Sequence, residues 1–444
     1  MGKRIYVICQ VFYPDTTSTS QLFTELFAVL SERADAEITV LCSHPSGKLG
    51  KERSWPSKEV HRGVHIRRLG FKLDHKAGLI SRALVYAGYL LGVFFKLMTV
   101  PRRDAVFMGV TNPPFVAWVL WFASLLRGIK YDYMIQDAYP EGLIALGMKR
   151  SSPIAKLWYF LNRLAYRRAE RMIVLGRDMA EVIETNYGIP SGEVVYLPHW
   201  SAVEYDEPLP AEGRPLLAEL DLADRFVVQY SGNMGIWHDI ELFVRAAERL
   251  KDEDRVRLML VGDGVRRAGA EALDRERNPG NIIWRDFVPL DEVRESLASC
   301  HAALICLRDG FFGIAVPCKV YGILASGRAI IAQVPAGTEI ALTVEESECG
   351  VVVEPGDDEA LARVIAELAG DPERVARYGA NAFRAYREKY RQAQAVVAFS
   401  ELWGLSERRS GGGLAGDAGS GSGSGSDSGS GSAVASDGLA AGRA

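Results

Sequence analysis

Residues 226–235, FVVQYSGNMG, decide the fold. The stretch opens with apolar and β-branched residues typical of a buried parallel strand, and it ends in a loop that contains Gly232, Asn233 and Gly235. Small residues in such a loop let backbone N–H groups approach phosphate oxygens, and a helix that follows adds the positive end of its dipole. The same pattern also fits an ordinary strand–helix turn, so both interpretations stay open at this point.

Strand-like and helix-like segments alternate along the chain on both sides of this stretch. Strand candidates recur from residue 4 to residue 197 before it, and they continue to residue 353 after it. Strands that alternate with helices predict parallel sheets covered on both faces. An acidic segment that carries two prolines, residues 201–214, separates the two series.

The predicted architecture is therefore α/β, with two Rossmann-like parallel-sheet domains that face each other across a cleft. Ligands of such proteins bind where the carboxyl ends of the two sheets meet. Residues 410–444 contain 12 Gly and 9 Ser, a composition that cannot form a core. We assign residues 1–205 to the first domain, 206–385 to the second, 386–409 to a helix that crosses back to the first domain, and 410–444 to a disordered tail.

The composition excludes several classes of protein. Of the 444 residues, 48% are hydrophobic and 24% are charged, which rules out a disordered, collagen-like or disulfide-stapled chain. The net charge of −4 argues against a nucleic-acid binder. The six cysteines form no Cys-x-x-Cys pair, and this predicts reduced, mostly buried thiols in a cytoplasmic protein.

A second signal lies in residues 316–327, VPCKVYGILASG. Pro317 suits the first turn of a helix and Gly327 suits its end. Lys319 then stands in the first turn, where a cation opposes the helix dipole unless an anion neutralises both. A solvated lysine is the alternative to an anion site, and the glycine-containing loop upstream favours the anion.

These segments resemble the GT-B fold retaining glycosyltransferases of family 4, in the bacterial exopolysaccharide and O-antigen branch that includes fucosamine-transferase-like enzymes. The resemblance covers most of residues 4–405 and rests on the number, order and spacing of short motifs. They are residues 12–14 (FYP), 136–141 (QDAYPE), 173–179 (IVLGRDM), 197–200 (LPHW), 230–235 (YSGNMG), 261–264 (VGDG) and 319–327 (KVYGILASG).

The resemblance implies a UDP-sugar that is bound mainly by the second domain as a substrate, with no metal and no other cofactor. The donor-binding residues that it implies are Gly232, Asn233, Gly235, Phe287, Val288, Lys319 and Tyr321. Two departures from the family pattern matter. The glutamate expected to hold the donor ribose is replaced at Gly322, and the usual loop cations fall at Asn233 and His238. We therefore expect Lys319 to supply the positive charge.

Asp137 and Glu141 follow an apolar strand of the first domain, and we expect both to point into the cleft as catalytic residues. One carboxylate then orients or deprotonates the acceptor hydroxyl, and the other stabilises an oxocarbenium-like transition state. The alternative for Asp137 is a helix N-cap. Ser18, Thr19 and Ser20 are predicted to form an acceptor or phosphate loop, or only to cap a helix that begins at Ser20.

Charge is distributed unevenly along the chain. Residues 51–103 carry twelve Lys or Arg against three acids, a net charge of +9 in a chain that is otherwise −13. Within them, residues 78–99 form a predicted helix that is apolar nearly all round, which suits a core helix or one lying in a membrane surface. The basic flanks favour an anionic membrane surface as the partner of residues 51–103. Neither this helix nor residues 104–127 is predicted to span a bilayer.

Together these observations predict a retaining glycosyltransferase of surface-polysaccharide assembly, of hexosyl or N-acetylhexosaminyl type, peripheral on the inner face of the plasma membrane. Its partners would be a UDP-sugar and a polyprenyl-diphosphate-linked saccharide acceptor, with no nucleic acid. Two alternatives fit the same architecture. One is a non-hydrolysing UDP-sugar 2-epimerase, and the other is a sugar-nucleotide-binding protein without catalytic activity, suggested by Gly322.

Overall fold

The computed structural model describes residues 2–45, 55–73, 78–208, 210, 214–289 and 292–408. Part of the basic stretch, including Lys51, Arg53 and Lys76, lies outside the described residues, as does the Gly/Ser-rich segment 410–444. The two sheets and the helices around them form one compact unit that extends through Arg408. All six cysteines are free thiols, and five of them are buried.

The first sheet contains eight strands: β1 Lys3–Ile8, β2 Ala36–Ser43, β3 Lys58–His61, β4 Val64–Leu69, β5 Ala105–Val110, β6 Asp132–Ile135, β7 Arg171–Val174 and β8 Val194–Tyr196. They lie in the order β3-β4-β2-β1-β5-β6-β7-β8, and only β3 runs antiparallel to its neighbour. The order reverses between β1 and β5, so a crevice opens at the carboxyl ends of these strands. Strand β3 is absent from the predicted strands because this half-exposed edge strand carries only one large apolar residue, Val60.

The second sheet contains six parallel strands: β9 Phe226–Ser231, β10 Val256–Val261, β11 Ile282–Arg285, β12 Ala302–Cys306, β13 Ala329–Gln333 and β14 Gly350–Val353. Their order is β11-β10-β9-β12-β13-β14, with the reversal between β9 and β12. All residues of β12 and β13 are buried, as apolar strands covered on both faces must be. The prediction of two parallel-sheet α/β domains is confirmed.

Helices cover both sheets. In the first domain they are α1 Ser18–Arg33, α2 Leu79–Thr99, α3 Val116–Arg127, α4 Glu141–Ala145, α5 Pro153–Tyr166 and α6 Arg177–Tyr187. In the second they are α7 Pro215–Glu219, α8 Ile240–Arg249, α9 Arg267–Arg277, α10 Val293–Ala298, α11 Lys319–Ala325, α12 Glu339–Glu346, α13 Asp358–Gly370 and α14 Pro372–Lys389. Local signals set their ends: Ser152 Oγ accepts the Ala155 N–H at 3.2 Å and caps α5, and Gly188, in the left-handed region at φ 61°, ends α6.

The end of the chain differs from the single helix assigned to residues 386–409. The helix breaks at Tyr390 and Arg391, and a separate helix, α15 Gln392–Trp403, then packs against α1 of the first domain. The break leaves the Tyr390 carbonyl free to accept the Ser201 N–H at 2.9 Å. Because α14 packs on α11 and β13, the second domain extends past residue 385.

Candidate active site

The loop after β9 is locked against the loop after β10. Gly232 N–H donates to the Val261 carbonyl at 3.0 Å, and Met234 N–H donates to the Asp263 carbonyl at 2.8 Å. The two backbones approach so closely that a Cβ on Gly262 would lie 2.1 Å from the Gly232 oxygen. Glycine is therefore required at Gly262, whose φ is 127°.

Because of these contacts, most backbone N–H groups of the loop are not free to bind an anion. Gly235 N–H donates to His238 Nδ1 at 3.1 Å, so three of the four N–H groups in residues 232–235 have acceptors inside the protein. Within the described part of the chain, the Asn233 N–H has none. The loop therefore offers few free donors, and an anion here depends on a nearby positive charge.

Lys319 places a basic side chain beside this loop. It is the first residue of α11, two residues later than the predicted helix start at Pro317. Its Nζ lies 3.7 Å from the centroid of the Tyr230 ring and 3.5 Å from the position of a Cβ on Gly232. The Nζ is buried without a hydrogen-bond partner among the described residues, and burial lowers the pKa of Lys319 to about 8. A buried, unpaired ammonium beside the loop fits a bound anion.

His238 has a role that sequence analysis missed. Burial, and next the charge of Lys319, hold the pKa of His238 well below its usual value. The imidazole is therefore neutral, and its Nδ1 accepts the Gly235 N–H. It shapes the loop and leaves Lys319 as the cation.

The other predicted donor residues differ in how exposed their side chains are. Phe287 is 57% exposed in the segment that follows β11, and Val288 beside it packs against the core. Asn233 is exposed, and its carbonyl accepts from Tyr230 Oη at 2.8 Å. The prediction that the Tyr321 side chain contacts the donor is corrected. Tyr321 is only 2% exposed, and its ring packs against the ring of Tyr390, with 5.1 Å between the centroids.

Asp137 lies where the first domain meets the second. Its backbone forms an isolated β-bridge with Ala315, and the adjacent Ala138 N–H donates to the Ile314 carbonyl at 2.8 Å. The N-cap of α4 is Pro140, so Asp137 is not a helix cap. In the described structure its carboxylate has no hydrogen-bond or ion-pair partner, and burial raises its pKa to about 7. An unpaired carboxyl with a raised pKa beside the segment that leads to Lys319 is a strong candidate for a reacting site.

Glu141 differs from its prediction. It begins α4, and its Oε1 accepts from Tyr187 Oη at 2.9 Å and from Asn186 Nδ2 at 3.1 Å. Burial raises its pKa, although these two hydrogen bonds oppose the shift. The carboxylate is thus bonded to α6 inside the first domain and does not project into the cleft as expected.

Ser18, Thr19 and Ser20 form the first turn of α1 and are not a loop. Ser20 is fully buried, and the cap position is Thr17, whose side chain makes no capping hydrogen bond. Thr19 Oγ1 donates to Gln136 Oε1 at 2.7 Å. Of the three, Thr19 alone thus reaches the strand end that carries Asp137.

The Gln136 side chain extends this network to His199. Its Nε2 lies 3.4 Å from His199 Nε2, and burial lowers the pKa of His199 to about 4. Segments far apart in sequence therefore converge behind Asp137, and no short motif in the sequence announces this.

A second contact between the domains lies beside the cleft. Arg177 at the start of α6 donates its backbone N–H and its Nε to Glu339 Oε2 at 2.8 and 3.0 Å. In return, Gly313 N–H donates to Asp178 Oδ2 at 3.1 Å. These charge-assisted bonds fix the first-domain helix α6 against the second-domain helix α12.

Within the described ranges, no group of three or more His, Cys, Asp or Glu side chains is placed to hold a metal ion. The prediction that the donor binds without a metal stays a prediction.

Two family models match the chain. Residues 21–200 match the glycosyl transferase 4-like domain, and residues 225–371 match glycosyl transferases group 1. The chain is 29% identical over 368 residues to the probable glycosyltransferase WbjE of Pseudomonas aeruginosa, covering 82% of this chain and 89% of that protein. It is 25% identical over 362 residues to the protein of Escherichia coli strain K12 named "putative colanic acid biosynthesis glycosyl transferase WcaI", covering 79% of this chain and 88% of that one.

Solved structures share the fold. Sucrose-phosphate synthase from Thermosynechococcus elongatus superposes with a TM-score of 0.70 at 16% identity, over 90% of this chain and 98% of that one. HepE from Anabaena, solved with UDP and with UDP-glucose, superposes with TM-scores of 0.62 and 0.63 at 14% and 13% identity, over 90% of this chain and 99% of that one.

The two sheets and their neighbours define a protein of the GT-B class, and this agrees with the fold expected from the resemblance. The two matching domain models and the two named relatives identify its activity. The chain is a glycosyltransferase. The alternatives of an epimerase and of a non-catalytic binding protein are therefore set aside.

Proposed function

We propose that this glycosyltransferase moves a sugar from a UDP-sugar to a lipid-diphosphate-linked saccharide, with retention of configuration, in the assembly of a surface polysaccharide. The observation that carries the proposal is Lys319, a buried ammonium without a partner beside the Gly232–Gly235 loop. Colanic acid biosynthesis in the name of the relative WcaI supports the polysaccharide assignment. The fucosamine-transferase-like specificity remains part of this proposal.

The donor diphosphate would occupy the space between Lys319 and the loop after β9. Its oxygens would pair with the Lys319 Nζ and accept from the Asn233 N–H, and neither of these groups has a hydrogen-bond partner in the described structure. HepE, which shares the fold, was solved with UDP and with UDP-glucose, and this supports UDP as the nucleotide. Phe287, exposed at the end of β11, would lie against the uracil ring.

Asp137 would act from the opposite wall. During transfer the acceptor oxygen bonds to the anomeric carbon, the bond from that carbon to the diphosphate breaks, and the acceptor proton passes to the leaving phosphate oxygen. An ionised Asp137 would orient the acceptor hydroxyl and stabilise positive charge on the sugar ring. Because burial raises its pKa to about 7, this ionised form gains population as the pH rises through 7.

The membrane location is argued from the outside of the first domain. We define the outer apolar face as the exposed large apolar side chains of α2, α3 and α5: Ile80, Leu84, Leu91, Phe95, Phe122, Leu125, Leu126, Ile154, Leu157 and Phe160. These side chains are between 46% and 79% exposed. An apolar patch of this kind on a protein surface marks an interaction site.

Helix α2 would lie along the membrane rather than cross it. Its residues Ile80–Thr99 have the length and hydropathy of a membrane-crossing helix. However, Tyr89, Val93 and Leu97 on its inner side are fully buried, and Tyr89 Oη donates to the Leu41 carbonyl at 2.8 Å. The helix is thus fixed to the first sheet by one side and presents the other to a lipid surface. The charge of +9 in residues 51–103 would attract anionic lipid.

An acceptor-dependent assay tests the proposed reaction. Purified enzyme is incubated with a panel of UDP-sugars, with and without lipid-diphosphate-linked saccharides extracted from a bacterial membrane, and UDP release is measured. We expect one UDP-sugar to release UDP only when acceptor is present, and the product anomer, read by NMR, to match the donor. Equal UDP release without acceptor, or an inverted product, would contradict the proposal.

A further inference from the structure

An open groove lies on the outside of the first domain, formed by α5, the loop before it and the end of α6. Its volume is about 640 Å³, and the side chains around it include Arg150, Lys156, Tyr159 and Arg163. No residue that lines this groove belongs to the second domain. The groove is therefore a feature separate from the donor site.

The groove is strongly basic. Residues 149–168 contain six basic side chains and no acid. Arg150 is held in place, because its Nη2 donates to Asn186 Oδ1 at 2.9 Å and its guanidinium lies 4.9 Å from the centroid of the Tyr159 ring. Lys156 and Arg163 form no ion pair within the described part of the chain. The three cations thus concentrate positive charge that no described side chain neutralises.

The groove also borders the outer apolar face. On α5, Ile154 and Leu157 are 69% and 58% exposed, and Phe160 both belongs to that face and lines the groove. Helix α5 packs on α3, and α3 packs on α2, so the apolar side chains of the three helices lie on neighbouring elements. A surface that sets apolar side chains next to unpaired cations matches the boundary between lipid chains and lipid headgroups.

We propose that this groove binds the phosphate headgroup of an anionic membrane lipid. The proposal rests on the membrane docking put forward under Proposed function and adds a defined site to it. Guanidinium groups bind phosphate oxygens through paired hydrogen bonds, and Arg150 is oriented by Asn186 and Tyr159 before any ligand arrives. With Phe160 in the acyl boundary, the three cations would stand at the level of the lipid phosphates.

The site would also orient the active site on the membrane. Asn186, which holds Arg150, donates from its Nδ2 to Glu141 Oε1 at 3.1 Å, and Glu141 follows Asp137 by four residues. A lipid phosphate in the groove would therefore be linked to α4, next to the first-domain wall of the cleft, through the side chains of Arg150, Asn186 and Glu141. A lipid-linked acceptor diffusing in the same membrane would then meet the cleft in a fixed orientation.

The test compares two triple variants of the full chain. Arg150→Gln, Lys156→Gln and Arg163→Gln remove the three groove cations. Lys251→Gln, Arg275→Gln and Arg363→Gln remove three exposed cations of the second domain that form no ion pair in the described structure. Binding is measured by sedimentation with vesicles of equimolar phosphatidylcholine and phosphatidylglycerol. Each lost cation should weaken binding about fivefold, so we expect the groove variant to bind on the order of 100-fold more weakly than the wild type. The control variant should bind like the wild type. Equal losses in the two variants would overturn the proposal.

A charge-preserving variant separates a built site from general attraction. Arg150→Lys with Arg163→Lys keeps the charge but removes the paired donors of each guanidinium. A phosphate site predicts about tenfold weaker vesicle binding for this variant, whereas attraction by net charge alone predicts no change and would refute the site. In solution, short-chain phosphatidylglycerol below its micelle concentration should shift the NMR signals of the groove in the wild type. Shifts produced equally by inorganic phosphate would show a free-phosphate site and contradict the lipid assignment.

The two proposals fail in different ways. If the wild type does not bind anionic vesicles at low salt, membrane docking is wrong and the groove proposal falls with it. If the wild type binds and the groove variants bind equally well, docking stands and the groove site is wrong. UDP binding, measured by calorimetry on each variant, should be unchanged throughout, because the groove lies outside the donor loop.

Discussion

The two domains share one plan, a parallel sheet between helices, but their outer helices present opposite surfaces. In the second domain, α8, α9 and α13 are joined by ion pairs, such as Arg266 with Glu241 at 2.9 Å, Arg277 with Glu248 at 3.6 Å, and Arg249 with Asp358. In the first domain, α2, α3 and α5 contain no acidic residue at all. The same architecture thus carries a water-facing layer on one side and an apolar, basic layer on the other.

Different residues therefore determine the fold of each domain and the surroundings that its outer surface suits. Alternating strands and helices set the sheets, and the buried sides of the helices are apolar in both domains. The outer residues carry no information about the fold, so they can adapt to what lies beyond them. The two walls of the cleft also differ. The first-domain wall carries the unpaired carboxyl of Asp137, and the second-domain wall carries the unpaired ammonium of Lys319.

The largest expected effect comes from the first-domain wall. Asp137→Asn should lower kcat about 100-fold or more, because the neutral amide does not stabilise positive charge on the sugar. UDP affinity should stay within about twofold of the wild type, since the donor binds to the other domain. Steady-state kinetics and calorimetry on the same preparation give both values. A loss of UDP affinity as large as the loss of kcat would contradict the assignment of UDP binding to the second domain alone.

The same substitution should stabilise the protein at alkaline pH. Burial raises the pKa of Asp137 from 3.8 to about 7, so the folded state binds a proton that the unfolded state releases between these values. Stability from this group is therefore present at low pH and is lost as the pH rises toward 7. Asp137→Asn should raise the free energy of unfolding by on the order of 2 kcal/mol at pH 8 and by less at pH 5. Urea denaturation at the two pH values measures this, and an equal change at both would contradict a buried, titrating carboxyl.

The next effect concerns the second-domain wall. Lys319→Ala should weaken UDP binding by about 1.5–3 kcal/mol, the range of a charge-assisted hydrogen bond. In the wild type, UDP should raise the depressed pKa of Lys319, so binding near pH 8.5 should take up protons. Calorimetry in buffers of different ionisation enthalpy detects this uptake, and Lys319→Ala should abolish it. Proton uptake that persists in the variant would assign it to another group.

A smaller effect tests the two outer surfaces directly. Leu91→Ser with Phe95→Ser should reduce the binding of anionic vesicles in high salt roughly tenfold, because burial of apolar side chains is not screened by ions. The matched control is Val265→Ser with Val397→Ser, which replaces apolar side chains that are 72% and 55% exposed outside the outer apolar face. Similar losses in the two variants would show that the first-domain surface has no special role.

The smallest effect is expected at Glu141. Glu141→Gln keeps an oxygen for Tyr187 and Asn186, so kcat should stay within about threefold of the wild type. Kinetics run beside those of Asp137→Asn give the comparison. A loss as large as that of Asp137→Asn would return Glu141 to the catalytic pair that the sequence predicts.

The parts of the site that could be predicted from the sequence are those that short stretches of sequence determine. The Gly232 loop and Lys319 lie at the ends of regular elements, where backbone conformation and helix dipole act over a few residues. Tyr321 and Glu141 lie within short helices, and the direction of each side chain depends on partners such as Tyr390 and Tyr187 that are distant in sequence. No local pattern contains that information.

Convergence of distant segments explains the rest. The contacts of Thr19 with Gln136 and of Gln136 with His199 join the start of α1 to the ends of β6 and β8, which only the sheet order brings together. The groove forms in the same way, from Arg150 and Asn186 on separate elements. The basic character of residues 51–103 is evident in the sequence, but that of residues 149–168 is not, because a shorter charged run resembles an ordinary solvated helix face.

The return of α15 to the first domain bears on the order of events during synthesis. Trp403 is 1% exposed, its ring packs against Phe27 and Phe399, and its carbonyl accepts from Lys3 at the start of β1. A ribosome makes Lys3 400 residues before Trp403, so α15 cannot cover the apolar surface around Phe27 until the second domain has emerged. The first domain is therefore completed only after the second domain has been synthesised, when α15 packs against α1.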